Sequence, residues 1–117
     1  MNIKWKTVII GIVIAFILAL ILGVVLGSLG GIITYLLTTI YVGYTVGGDY
    51  QNGAVHGVIV VVVFSIIGII LKIHDGVPVG GFDVLVGLEI LIGITGAIGG
   101  SIGVLIKRSR SSKISAA

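Results

Sequence analysis

The stretch AVHGVIVVVVFSIIGIILKI, residues 54–73, decides the fold. Taken alone, Val58–Val63 has the pattern of a buried strand, a short unbroken β-branched run. Its flanks overrule that reading. The run lies inside an apolar segment of about 20 residues, the length a helix needs to cross the hydrocarbon core of a bilayer. In lipid the backbone must satisfy its own hydrogen bonds, which an open strand cannot do. A transmembrane β-barrel would alternate polar and apolar residues in strands of about ten, and no such alternation is present. We therefore expect a helix over 54–73.

Working outward, three more segments read the same way: 8–26, 32–46 (the shortest) and 84–106. The expected fold is all-α, an integral membrane four-helix transmembrane bundle with short loops, occupying residues 1–117 as one domain. Residues 107–117 are expected as a basic flexible tail. Composition agrees: 57% of residues are hydrophobic and 9% charged, too little charge for the surface of a soluble domain of this size. There is no cysteine, which removes disulfides and thiolate metal sites. The apolar run 8–26 is too long for a signal peptide, and no small-x-small cleavage site follows it promptly, so we expect it to be retained.

The net charge of +3 gathers at the two ends, at Lys4 and Lys6 and at Lys107, Arg108, Arg110 and Lys113. Short basic flanks beside spans mark the cytoplasmic side. Four spans put both ends on one side, so count and charge agree on a multi-pass protein of the cytoplasmic membrane with both termini cytoplasmic. Gly27–Gly31 is expected as a tight turn facing outward, as is the connection His74–Asp83 with the single proline, Pro78. The loop Gly47–Gly53 faces inward. Trp5, Tyr44 and Tyr50 fall at the inner interface and Phe82 at the outer one, where aromatic rings anchor spans.

Burial does not drive helices together in lipid; close backbone approach through small residues does. The first span carries Gly11, Ala15, Ala19, Gly23 and Gly27 in an i, i+4 ladder. The fourth carries Gly93, Gly96, Ala97, Gly99, Gly100 and Gly103, with two G-x-x-x-G pairs. The third has Gly53, Gly57 and Ser65 at multiples of four. These stripes serve internal packing, or assembly with the chain itself or another membrane protein.

Glu89 is the ionisable residue placed well inside a span, and an intramembrane acid is a functional candidate by default. It shares a face with Gly93, Gly96 and Gly100. Tyr35, Thr38 and Lys72 fall at similar depth, so we expect a polar cluster of Glu89 with Tyr35, Thr38 or Lys72. At the inner side Asp49 and His56 are candidate loop residues. Metal sites need three or four converging ligands, and one histidine per side falls short. No triad, phosphate loop or nucleic-acid motif stands out, so neither catalytic nor cofactor-binding residues are assigned and nucleic acid is not an expected partner; the bilayer is.

The segment Gly43–Gly57, GYTVGGDYQNGAVHG, with its Gly-Ala-x-His-Gly element, resembles the central loop of a family of small archaeal membrane proteins of unknown function, common in methanogens. Members are similar in length and open with an N-x-K-W-K-like start, as Asn2-Ile3-Lys4-Trp5-Lys6 does here. They also end in a Gly-rich helix before basic residues. The resemblance implies an archaeal cytoplasmic membrane and brings no activity. The function expected is a non-enzymatic structural or accessory subunit that associates through glycine-rich helix faces. The alternative is a small ion or proton channel or transporter in which Glu89 faces the pathway.

Overall fold

The structure is a computed structural model that describes residues 3–116. Asn2, the side chain of Ser28 and those of residues 112–116, Lys113 among them, lie outside the described residues. Four helices follow in order: α1 (Trp5–Leu26), α2 (Ser28–Val46), α3 (Tyr50–His74) and α4 (Phe82–Ala116). All four are long and apolar enough to cross a membrane. The valine run lies within α3, where each backbone group finds its partner inside its own segment. The chain runs up and down between two ends. We call basal the end that holds the start of α1, the α2–α3 connection and the basic part of α4, and apical the end that holds the α1–α2 and α3–α4 connections.

Layering is simple. α2 and α3 lie side by side; α1 covers one face of the pair and α4 the other, and among the described residues α1 and α4 do not touch. Val8, Val42 and Val60 bring α1, α2 and α3 together in a fully buried cluster flanked by Ile12 and Ile59. Further along, Phe16 of α1 stacks edge-on to Phe64 of α3 at 4.9 Å between ring centroids, and Tyr35 of α2 does the same from the other side at 5.9 Å.

α4 meets its neighbours through glycine. A side chain at Gly96 or Gly100 would strike the backbone of Gly57 or Gly53 in α3. One at Gly99 or Gly103 would strike Thr39, or the backbone at Ile40 and Tyr44, in α2. The two overlapping G-x-x-x-G pairs thus address two different helices from adjacent faces of α4. Gly53, Gly57 and Gly43 return the same contact from the partner side.

The α1 ladder behaves differently along its length. Gly11 and Ala15 are buried and Ala19 is half-buried, but nothing comes within 4 Å of a Cβ built at Gly23 or Gly27. Gly93 lies between these cases, with Val58 and Val62 at 4.0 Å. The contacts of α4 with α2 and α3 are therefore backbone-to-backbone at the basal half and looser at the apical half.

Two stretches differ from expectation. Gly27–Gly31 is not a five-residue turn. Gly27 alone turns the chain, at φ +63°, and α2 begins at Ser28. Gly30 is already inside α2, where a side chain would meet the Leu22 backbone, so its glycine permits the first turn of α2 to lie on the last turn of α1. The basic segment also differs: α4 continues through Lys107–Arg110 instead of ending in a flexible tail. Straight-chain basic residues are good helix formers, and these side chains find partners on α2 and on the α2–α3 connection. At the apical end α3 closes with a Schellman motif around Gly76 at φ +74°: Val77 N–H donates to the Lys72 carbonyl at 2.8 Å and Gly76 N–H to Ile73 at 3.1 Å, with Pro78 just beyond.

Gly100→Ala is expected to destabilise the bundle by about 2 kcal/mol or more, since overpacking here meets backbone and not a yielding side chain. Gly87→Ala, with nothing within 4 Å, is expected to be neutral or stabilising by up to about 1 kcal/mol. Unfolding in detergent micelles separates the two, and equal effects would contradict the packing described.

Candidate functional site

The basal end is organised by residues 47–57, GGDYQNGAVHG. Gly47 and Gly48 take φ of +60° and +80°, which L side chains rarely adopt, and so turn the chain between α2 and α3. Asp49 then caps α3: its Oδ1 accepts the Asn52 N–H at 2.8 Å. Asn52 reaches back, its Nδ2 donating to the Gly47 carbonyl at 2.9 Å. One turn on, His56 is fully buried. Its Nδ1 lies 2.7 Å from the Asn52 carbonyl and its Nε2 lies 3.0 Å from the Lys4 amide nitrogen. A carbonyl can only accept and an amide N–H can only donate, so Nδ1 carries the proton and Nε2 is the acceptor. The ring is thereby held neutral in one tautomer. It supplies the start of α1 with an acceptor that no local side chain provides.

Three successive carbonyls at the end of α2 are met in the same region. Val46 accepts from Lys4 Nζ at 3.2 Å, Gly47 from Asn52, and Gly48 from Arg108 Nε at 3.1 Å. A helix C-terminus carries partial negative charge, which favours cations here. Arg108 also lies over the Tyr50 ring at 4.7 Å and Lys107 over the Tyr44 ring at 5.8 Å, and Arg110 donates to the Tyr44 hydroxyl at 3.1 Å. Both ends of the chain are tied to one loop.

The apical site centres on Glu89. Its Oε1 accepts from the Ser65 hydroxyl at 2.6 Å, across the seam between α3 and α4. Its Oε2 is buried and has no hydrogen-bond partner. Ser65 lines a cavity of about 270 Å³ together with Tyr35, Gly68, Lys72 and Pro78. On the opposite face of the seam an apolar groove runs past Glu89, Val62 and Phe82.

Of the residues expected to cluster, Tyr35 and Lys72 border the Ser65 cavity, but Lys72 is exposed and makes no ion pair with Glu89. Thr38 does not bond to Glu89; it is fully buried, and its Oγ1 has no partner. Asp49 and His56 do not touch; Asn52 links them. Ser65 and Asn52 are the site residues that sequence reasoning missed. Ser65 was visible as the fourth-residue continuation of Gly57 and Val61, and Asn52 as the third residue after a capping Asp. Among the described residues, no group of three or more His, Cys, Asp or Glu converges.

His56→Ala is expected to cost about 1–3 kcal/mol by stranding the Lys4 amide and the Asn52 carbonyl. Nitrogen NMR of the imidazole should show Nδ1 protonated and Nε2 bare in the folded protein. A doubly protonated ring, or the opposite tautomer, would contradict this geometry.

No curated protein and no solved structure matches this chain. Residues 5–106 match a family described as a family of unknown function, DUF5518, a match that takes in all of α1, α2 and α3, the 47–57 segment, Ser65 and Glu89, and the glycine face of α4. The chain belongs to that family of unknown function.

Proposed function

We propose that this protein is a non-enzymatic, four-span component of a cytoplasmic membrane, archaeal by the resemblance of its 43–57 segment, that associates with a second copy of itself. Large apolar side chains stand exposed on every helix, among them Leu20, Val24, Leu29, Ile70, Phe82 and Leu91. Water would not tolerate this surface, and lipid or a neighbouring helix would. The basic residues gather at the basal end, which we assign to the cytoplasm. Reporter fusions to either terminus should behave as cytoplasmic, and an external reading at either end would overturn that assignment.

The observation that carries the association is the unused half of the α1 ladder. Gly11 is covered by Val42 of α2 and Val60 of α3 and Ala15 is buried, whereas Gly23, on the same stripe, faces open space. Small residues in lipid stabilise only by letting another backbone come close. A channel through one bundle is the weaker reading. Its pathway would have to pass the basal half, where the α2, α3 and α4 backbones are in contact at Gly43, Gly53, Gly57, Gly96 and Gly100.

The chain has no cysteine, so Gly23→Cys is a unique reporter. In liposomes under mild oxidation it should give a disulfide dimer that Phe16→Cys, turned toward α3, does not. Equal yields from both, or a monomer in native mass spectrometry of the unmodified protein, would sink the association.

A further inference from the structure

Glu89 sits in the apolar part of α4, and its surroundings leave its charge without a counterpart. Ser65 satisfies Oε1. Oε2 is shielded from the surface and unpartnered. Among the described residues the one ion pair is His74–Asp75, both exposed at the apical connection, so no cationic side chain pairs with Glu89. A buried carboxylate in this condition is strongly unfavourable, and a bound positive charge removes the penalty. One hydroxyl, that of Ser65, bonds it directly, and Tyr35 borders the cavity that Ser65 lines. Carboxylate and hydroxyl are oxygen ligands of the kind that suit hard cations.

Access is provided from one side. The cavity of about 270 Å³ bordered by Tyr35, Ser65, Lys72 and Pro78 lies at the apical half of the bundle, where Gly68 and Gly87 leave open space. The charged and titratable groups bordering this region are Tyr35 from α2, Lys72 from α3 and, further out, His74, Asp75 and Asp83. The glycine contacts of the basal half close the other direction.

We propose that the Ser65–Glu89 pair is a binding site for one small cation, a proton or an alkali-metal ion, taken up from the apical side through the cavity that Ser65 lines. The site binds without conducting, because the same glycine contacts that hold the helices together separate it from the basal surface. It stands independently of the association proposed for α1.

The test is infrared difference spectroscopy on the full chain in liposomes. Wild type minus Glu89→Gln isolates one carboxyl from a chain with four acidic side chains. In buffer free of alkali ions, the carboxylic-acid band of Glu89 is expected in wild type and lost in the variant. Loss of that band on adding sodium or lithium identifies an alkali-ion site; its persistence identifies a proton site; both support the proposal. A carboxylate signal that no added ion changes would overturn it. So would an acid band that appears only in Lys72→Met, which would make Lys72 the counterion. Should Glu89→Gln fail to fold, dicyclohexylcarbodiimide labelling of the wild-type chain gives the second readout. The reagent attacks protonated carboxyls from the apolar groove beside Glu89, so an adduct on Glu89 is expected without alkali ions. Absence of the adduct, both with and without alkali ions, would overturn the proposal.

Discussion

The contact of bare backbone on bare backbone, α4 against α2 and α3, is the constraint from which the rest of this structure follows. Gly96 and Gly100 lie on Gly57 and Gly53; Gly99 and Gly103 lie on Thr39, Ile40 and Tyr44. In an apolar solvent, burying leucine against leucine offers little advantage over burying it in lipid, so proximity of backbones has to supply the attraction. A stripe of glycines is the device that permits it. All these contacts fall in the basal half, and the cavity beside Ser65 lies in the apical half.

The segment 47–57 converts that packing into a joint. Its first two glycines turn the chain, Asp49 starts α3, Gly53 and Gly57 admit α4, and His56 receives the start of α1. Each residue type is dictated by a different physical demand: positive φ, an N-cap acceptor, absence of Cβ, and a side chain with one donor and one acceptor. The cations of both termini then settle on the carbonyls at the end of α2. Charge that topology rules would assign to a membrane surface therefore also serves a local structural purpose.

The division between a tight basal end and a loose apical end is where function has room to act. The proposed association rests on the exposed Gly23 of α1, and the proposed cation site on the Ser65–Glu89 pair. Neither feature interferes with the other, because they lie on different faces of the α2–α3 pair: among the described residues α1 and α4 do not touch.

How much of this was legible beforehand depended on the range of the interaction. Four apolar segments, their approximate limits, the clustering of charge and the isolation of Glu89 are properties of composition along the chain. Length and hydropathy determine them without reference to any neighbour. Helix α3 could be read through its valine run for the same reason. The α4 continuation past Ile106 could not, because its basic residues are held by Tyr44, Tyr50 and Gly48, some 60 residues away. Nor could the pairing of Glu89 with Ser65, where Lys72 was the nearer guess on charge alone. Which glycines pack and which lie bare was likewise decided by tertiary structure. A glycine stripe has the same sequence whether or not a helix lies against it; only the crossing of the helices brings backbone to Gly100 and leaves Gly23 in open space.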